Sequence, residues 1–303
     1  MHDVVIIGGA VHGASLAYHL AAGGFDGSVV LVEKDTTFAQ AATALSAGSI
    51  RQQFSTAVNI EISLYGIEFL RNVGALLAVD GDRPDIGLRE GGYLFLASEA
   101  GKAQLTANHA LQVSLGADIS LLDPAGLTER FPYLSTEGIA AGCWGRTGEG
   151  WFDGYQLMQG LRRKAKALGV RLMTGEAVEI SPPNVRLADG TTITGDVIVV
   201  TAGTQTPDLI APLGIALPVE ARKRFVFSFT CRDALARFPL LIDPSGVYAR
   251  PEGEMFICGA SPPAERDPKA TNFEVDHSFF EETIWPVLAA RVPAFESIKA
   301  GRS

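Results

Sequence analysis

Three glycines and one acid near the start of the chain have the spacing of a dinucleotide-binding unit. Gly8, Gly9 and Gly13 follow the apolar run VVII, and Glu33 comes about 20 residues later. Gly8 permits a tight turn, and Gly13 permits a helix to pack closely on a strand. The amides at the start of such a helix attract a pyrophosphate, and Glu33 can accept the hydroxyl groups of an adenosine ribose while repelling a 2′-phosphate. The pattern therefore favours FAD or NAD over NADP.

The elements around these residues have the order that the motif requires. Residues 4–7 and 29–32 are short apolar runs, as in buried parallel strands, and Val11 to Ala22 is rich in helix-forming residues. Ala10 stands where the motif has its middle glycine, and its methyl group narrows the approach of phosphate to the backbone. Chance is the alternative explanation in an Ala- and Gly-rich chain, but the strand, helix and strand context makes nucleotide binding the better interpretation.

Composition limits the class of protein. The chain has 303 residues, of which 47% are hydrophobic, so it can bury a sizeable core, and its length predicts two lobes. A net charge of -9 argues against nucleic acid or an anionic membrane as the main partner. Cys143, Cys231 and Cys258 lack C-x-x-C spacing, so neither a disulfide framework nor a metal site is indicated. With no basic leader and no apolar run of about 18 residues, we expect no membrane span and a cytoplasmic location.

The middle of the chain carries a second informative helix. Asp153 and Gln156 form a capping pattern, which predicts a helix to about Leu168. The four basic residues of this helix are interpreted as its solvated face rather than as an anion site; they are Arg162, Arg163, Lys164 and Lys166.

A further strand is predicted to end at the nucleotide site. Residues 185–187 and 191–194 form a hairpin around Asp189-Gly190. Ile198 to Val200 is a buried strand, and the turn Thr201-Ala202-Gly203 follows it. In a doubly wound sheet, the end of this strand lies at the same crevice as Gly8.

Several longer strings resemble one family. They are VVIIGGAVHGASLAYHL, LSAGSIRQQFS, EGWFDGYQLMQGLRRK, VVTAG, LPVEARKRFVF and EVDHSFFEETIWPVLAARVPAFE. Together they resemble the D-amino-acid-oxidase-like superfamily of FAD-dependent oxidoreductases, which includes sarcosine oxidases, glycine oxidase and dimethylglycine dehydrogenase. The resemblance is strongest to the branch of FAD-dependent oxidoreductase domain-containing proteins, and it extends over almost the whole chain.

The resemblance implies an α/β fold with a Rossmann-like FAD domain and an interleaved α+β substrate domain that contains a mixed sheet. The FAD domain is expected at residues 1–86 and 145–215, and the substrate domain at 87–144 and 216–303. The implied reaction is oxidation of the C–N bond of a small amine or N-methylated amino acid, such as sarcosine or dimethylglycine, with hydride transfer to flavin N5. Relatives continue with a C-terminal segment that closes over the flavin, and we expect it to be missing from this sequence.

The resemblance also implies site residues. The FAD-binding set is Gly8, Gly9, Ala10, His12, Gly13, Glu33, Lys34, Ser46, Ala47, Gly48, Ser49, Val178, Ala202 and Gly203. Arg51 matches an arginine that can pair with a substrate carboxylate, the alternative being an ordinary surface arginine. Tyr248 and Arg250, two residues apart on a predicted strand, share a face and are the other catalytic candidates, although alternation does not say which face.

Two other functions remain as alternatives. One is a flavin-binding structural or assembly protein without turnover, and the other is an NAD-dependent dehydrogenase, which the long loop after Glu33 disfavours. The sequence leaves open the electron acceptor, which is oxygen, a quinone or an electron-transfer protein.

Overall fold

The computed structural model describes residues 1–270 and 272–301 and divides into two compact units. Unit 1 consists of Met1–Gly48, Arg71–Gly87 and Phe152–Ala221, and unit 2 consists of the remaining ranges, Ser49–Leu70, Leu88–Trp151 and from Arg222 onward. Residues 49–70 therefore group with unit 2, whereas the sequence placed them in the first domain. The assignment of FAD and substrate to separate domains stays a prediction.

The strands, in chain order, are β1 His2–Ile7, β2 Val29–Glu33, β3 Ser49–Ile50, β4 Tyr93–Ala97, β5 Ile119–Leu122, β6 Ala141–Gly145, β7 Gly150–Trp151, β8 Arg171–Thr174, β9 Ala177–Ser181, β10 Asn184–Leu187, β11 Thr192–Val200, β12 Phe227–Cys231, β13 Leu240–Ile242, β14 Tyr248–Glu252, β15 Met255–Gly259 and β16 Ile298–Ala300. The α-helices are α1 Val11–Ala22, α2 Ala42–Leu45, α3 Ala57–Arg71, α4 Val73–Leu76, α5 Glu99–Ser114, α6 Pro124–Arg130, α7 Gly154–Ala167, α8 Thr206–Ile210 and α9 Trp285–Arg291.

Unit 1 is built on a six-stranded sheet in the order β8-β2-β1-β11-β10-β9. β1 pairs in parallel with β2 and with β11, while β9 and β10 add an antiparallel edge. The buried runs in β1 and β2 are hydrophobic at every position because a parallel sheet is covered on both faces. α1 packs against α7, and the small residues Gly13, Ala14 and Ala17 lie on its buried side.

Unit 2 is built on an eight-stranded mixed sheet in the order β16-β12-β15-β14-β13-β4-β6-β5. Only β4 and β13 pair in parallel among the described strands of this sheet. One face carries the main apolar core, in which Leu94, Leu241, Ala249 and Phe229 are fully buried. The segment from the π-helical turn Phe280–Ile284 through α9 packs on this core. β3 and β7 form a separate antiparallel pair.

The mixed α/β fold that the sequence predicts is confirmed, and so are most of its elements. Asp153 accepts a hydrogen bond from the amide of Gln156 at 2.9 Å and caps α7. The helical stretch from Ala57 to Leu76 is divided into α3 and α4, which meet at Asn72. None of the described helices combines the length and apolar character needed to span a bilayer.

Candidate functional site

The glycine turn of unit 1 has a geometry that requires glycine at two positions. Gly8 has a φ of 101°, a left-handed conformation that residues with a Cβ rarely adopt. A Cβ at Gly13 would overlap the carbonyl oxygen of Gly8, so α1 can approach β1 only without a side chain there. Thr201, directly after β11, donates from Oγ1 to the carbonyl oxygens of Ile7 and Gly8 at 3.0 and 2.8 Å. The ends of β1 and β11 therefore meet at this turn, as predicted.

The N-terminus of α1 is open to a negatively charged ligand. Ala10 is its N-cap residue and makes no side-chain capping hydrogen bond, and the first turn holds no acidic residue. The φ of Ala10 is -71°, which alanine adopts without strain, so the backbone conformation does not require glycine at this position. His12 is exposed in the same turn. The amide of Val11 donates to Oγ1 of Thr43 at 3.4 Å, and the other amides of the first turn, with the positive end of the helix dipole, can bind an anion.

Glu33 lies at the end of β2, beside the turn. Its Oε2 accepts the amide of Gly9 at 2.7 Å, and its Oε1 accepts the amide of Asp35 at 2.9 Å. Each carboxylate oxygen has a second lone pair, so Glu33 can still accept ribose hydroxyl groups. The two amides fix the carboxylate in one orientation.

Arg162 on α7 is a member of this site that the sequence analysis missed. The prediction that it belongs to a solvated face is wrong, because Arg162 is only 9% exposed. Its Nη1 donates to the carbonyl oxygen of Gly9 at 3.1 Å, and its guanidinium lies 4.7 Å from the ring centre of Phe38. Burial lowers the pKa of Arg162, and the nearby charge of Glu33 raises it. Arg162 therefore places a positive charge next to the turn, and this charge offsets the negative charge of Glu33.

Helical spacing is the signal that could have found Arg162. It is four residues after Met158 and three before Ala165, both fully buried, so it falls on the apolar stripe of α7.

Phe38 has a φ of 57°, an uncommon conformation for a residue with a bulky side chain, and its ring is buried. Such backbone strain is often found at functional sites.

The other predicted FAD-binding residues of unit 1 occupy less specific positions. Lys34 is exposed and pairs with Glu176 at 3.7 Å. Ser46 and Ala47 follow α2, and Gly48 has a φ of 51° beside Phe152. Ala202 and Gly203 directly follow Thr201 and lie near Gly8, whereas Val178 is exposed on β9, two strands away from β11. Their roles as cofactor ligands remain predictions.

Unit 1 therefore fits a dinucleotide such as FAD on two observations. The N-cap residue of α1, Ala10, makes no side-chain capping hydrogen bond, and the turn before it packs so closely that a Cβ at Gly8 or Gly9 would collide with Thr201 or Arg162. The turn amides would hold the pyrophosphate, and Glu33 would hold the ribose.

Unit 2 contains a cavity of about 300 Å³ around Arg51. Its lining residues are Ser49, Ile50, Arg51, Phe54, Ser63 and Tyr93. The guanidinium carbon of Arg51 lies 4.5 Å from the ring centre of Phe54 and 5.4 Å from that of Phe95. Aromatic rings attract a guanidinium without occupying its N–H groups in the ring plane. Arg51 is thus held in place beside a cavity and is not an ordinary surface arginine.

Tyr93 connects the cavity to the sheet. Its hydroxyl donates to Oγ of Ser49 at 2.6 Å, which ties the predicted cofactor residue Ser49 to β4. Burial is the largest effect on Tyr93 and raises the pKa of its phenol. The phenol is therefore neutral near pH 7 and serves as a hydrogen-bond donor.

The strand register shows which face Tyr248 and Arg250 occupy. Ile242 is opposite both Tyr248 and Phe95, so these side chains share a face, and that face is opposite the one with Leu94, Leu241 and Ala249 in the main core. Tyr93, two residues before Phe95, and Arg250, two residues after Tyr248, lie on it as well. Both catalytic candidates are thus on the same face of the sheet as Tyr93.

Arg250 is more constrained than Arg51. It is 3% exposed, its Nη1 donates to the carbonyl oxygen of Pro251 at 2.9 Å and pairs with Glu252, and its guanidinium lies 5.3 Å from the ring centre of Trp151. Burial raises the pKa of Tyr248 to about 12. Neither residue lines the Arg51 cavity, and their catalytic roles stay predictions.

Comparison with known proteins places these features in a family. The family model described as FAD dependent oxidoreductase, DAO, matches residues 3–303. The chain is 41% identical to FAD-dependent oxidoreductase domain-containing protein 1 of Xenopus laevis, over 99% of this chain and 68% of that protein. It is 26% identical to the mitochondrial dimethylglycine dehydrogenase of Rattus norvegicus, over 81% of this chain and 29% of that protein.

A solved structure shows the same fold. The L-proline dehydrogenase of P. horikoshii superposes with a TM-score of 0.85 over 99% of this chain and 79% of that chain, at 21% sequence identity.

Proposed function

Because the chain belongs to the DAO family of FAD-dependent oxidoreductases, we propose that it oxidises the C–N bond of a small secondary or tertiary amine that carries a carboxylate. Sarcosine and dimethylglycine represent this substrate class. The observation that carries the proposal is Arg51, whose guanidinium lies close to two aromatic rings at a cavity whose lining residues include no acid. The named activity of the dimethylglycine dehydrogenase relative supports the same class.

Unit 1 supplies the residues for the cofactor. The amides at the start of α1 would bind its diphosphate, and the carboxylate of Glu33 would bind its ribose. Arg162 holds the turn in place through its hydrogen bond to the carbonyl oxygen of Gly9. When bound, FAD supplies a two-electron acceptor whose N5 takes hydride from the carbon next to the substrate nitrogen.

The cavity in unit 2 positions the substrate. Arg51 can bind a carboxylate through two parallel N–H groups, which fixes both its position and its orientation. The apolar walls formed by Ile50 and Phe54 suit a small N-methyl group. A cavity of about 300 Å³ matches the size of a small-molecule ligand.

The cavity offers no base near neutral pH. Its lining consists of hydroxyl, aliphatic, aromatic and guanidinium groups, and the raised pKa of Tyr93 keeps that phenol protonated. Hydride loss requires a neutral amine, because the nitrogen lone pair must stabilise the developing iminium. We therefore expect the substrate to bind as the free amine or to lose its proton to solvent before oxidation.

The test is an anaerobic reduction of the bound flavin. The purified chain is saturated with FAD, and its visible spectrum is recorded before and after adding sarcosine, dimethylglycine, proline or glycine. Bleaching by an N-methylated amino acid supports the proposal. A flavin that none of the four reduces contradicts it and leaves a flavin-binding protein without amine oxidation.

Substitution of Arg51 tests the carboxylate anchor. For the best substrate, R51M is expected to raise the half-saturating concentration at least tenfold and to remove the preference for sarcosine over sarcosine amide. R51K should recover part of the affinity. R146M is the matched control, since Arg146 is an exposed partner of Asp118 in the same unit. An unchanged half-saturating concentration in R51M would refute the anchor.

A further inference from the structure

Four of the seven buried polar or charged residues in the described part of the chain form one cluster beside Arg51. They are Gln52, Gln53, Gln112 and Glu149. Glu149 is completely buried and lies just before β7, far along the chain from the segment it contacts. Buried polar groups are costly unless they are paired, so a cluster of this size calls for a role.

The carboxylate of Glu149 binds the backbone next to Arg51. Its Oε1 accepts the amides of Gln52 and Gln53 at 2.6 and 3.1 Å. Its Oε2 accepts Nε2 of the Gln53 side chain at 2.8 Å. One side chain thus fixes the two residues that follow Arg51.

The same segment has two further contacts, one at Phe54 and one with strand β4. Nε2 of Gln112 on α5 donates to the carbonyl oxygen of Phe54 at 3.0 Å. Nε2 of Gln53 also donates to the carbonyl oxygen of Tyr93 at 3.3 Å. Residues 52–54 therefore have a buried partner at each position, while Arg51 itself points its guanidinium toward aromatic rings.

We propose that Glu149 is the positioning residue for Arg51, and that it sets the affinity of the cavity for a substrate carboxylate by fixing the Gln52–Gln53 backbone. The functional half of this inference rests on the proposed role of Arg51. The structural half, fixation of the segment by Glu149, does not depend on any substrate.

The hydrogen bonds of Gln53 stabilise a carboxylate at residue 149, in opposition to burial, which favours the neutral acid. The Gln53 amide directs its NH₂ toward two acceptors, Glu149 and the Tyr93 carbonyl, while its Oε1 receives no hydrogen bond from the described residues. A protonated or amide group at 149 would need an acceptor at this place. Rotating the Gln53 amide would supply one but would set two oxygens, Gln53 Oε1 and Tyr93 O, against each other.

Hydrogen exchange measured by mass spectrometry tests the structural half. The FAD-saturated full chain is compared with E149L, which keeps volume but removes both acceptors, and with E149Q, which keeps one. We expect exchange at the amides of residues 52 and 53 to rise at least tenfold in E149L and less in E149Q. The control is E61Q, which removes an exposed charge on α3 of the same unit.

Binding of substrate tests the functional half. With the best substrate of the flavin-reduction assay, E149Q is expected to raise KM about tenfold while kcat stays within threefold. In the R51M/E149Q double variant, KM should equal that of R51M alone. Should no substrate reduce the flavin, the proposed function fails and the exchange experiment alone decides the fixation. Wild-type exchange in both variants at Glu149 would overturn the inference, and so would a fall in kcat without a change in KM.

Discussion

Arg162 donates a hydrogen bond at 3.1 Å to the carbonyl oxygen of Gly9, although the two residues are 153 positions apart in the chain. The amide of the same glycine is bound by Glu33 at 2.7 Å. Both polar groups of Gly9 thus have charged partners of opposite sign. The conformation of the glycine turn therefore depends on Arg162 of α7 as well as on its own glycines.

Loss of the Arg162 cation should weaken flavin binding. R162Q removes a charge-assisted hydrogen bond from a buried site, at a cost of about 2 kcal/mol, which corresponds to roughly a 30-fold weaker affinity for FAD. Quenching of FAD fluorescence measures this affinity. The neighbouring R163Q serves as control, because Arg163 pairs with Asp82 at the surface and should matter little. Equal affinities for the two variants would show that Arg162 has no part in the site.

Gly13 should not tolerate even a methyl group. A Cβ there would collide with Gly8, so G13A must move α1 away from β1, and we expect about 1–3 kcal/mol of destabilisation and weaker flavin binding. In G101A, on α5, the new Cβ would make a van der Waals contact at 3.4 Å with Cβ of Ala97 at the end of β4, and better helix propensity should leave stability unchanged or higher. Urea unfolding of both variants makes the comparison. A G13A protein as stable as G101A would contradict the close packing.

Glu149 should make stability depend on pH. Burial raises its pKa from 4.5 to about 7 and outweighs the hydrogen bonds from Gln53 and Gln52, which lower it, so the folded protein binds this proton more tightly than the unfolded chain. Stability is therefore greatest below pH 4.5 for this group and falls as pH rises toward 7, by about 3 kcal/mol at most. The difference in unfolding free energy between wild type and E149Q, measured from pH 5 to 8, should follow this fall.

Neighbouring groups do not mimic that titration. Tyr93 on β4 and Cys143 on β6 interact electrostatically with Glu149, and Glu90 contacts the adjacent residue Gly148. The pKa of Tyr93 is raised and that of Cys143 is raised to about 12, so both stay neutral over the range measured. Glu90 accepts the amide of Gly148 at 2.8 Å, and E90Q separates its contribution. A difference that is flat with pH would mean that Glu149 is ionised, or neutral, throughout.

The ion pair of Asp243 and Arg291 should be a stability determinant of unit 2. Arg291 Nε lies 2.9 Å from Asp243 Oδ2, and the two side chains are only 13% and 8% exposed. D243N leaves a nearly buried cation without its counter-charge and should cost about 3 kcal/mol. D118N breaks the exposed pair with Arg146 and should cost under about 1 kcal/mol. Thermal unfolding of D243N and D118N measures both losses of stability. Equal losses would contradict the expectation that the buried ion pair contributes more than the exposed one.

Local patterns predicted the secondary structure of unit 1 well. Continuous apolar runs, the glycine spacing and the Asp153 cap each depend on residues close in sequence, and the structure contains the corresponding β1, α1, β2 and α7. Arg162 was misassigned because a run of four basic residues resembles a solvated face. Helical phase, which places Arg162 between Met158 and Ala165, was the stronger signal.

The cluster around Arg51 could not be found in the same way. Glu149 and Gln53 are separated by 96 residues and meet only because β7 pairs with β3. An acid between two glycines looks like part of an exposed turn, and nothing local marks it as buried. The face occupied by Tyr248 and Arg250 likewise needed the register of β13, β14 and β4, which is a non-local property.

The parallel pairing of β1 with β11 has a consequence for synthesis on the ribosome. β1 begins at His2 and its neighbour β11 begins at Thr192, so the central pair of this sheet joins strands about 190 residues apart. At about 5–20 residues per second, translation takes roughly 10–40 seconds to deliver the second strand. During that interval one edge of the strand VVII has no sheet partner, so the nascent chain exposes an unpaired apolar edge that favours aggregation.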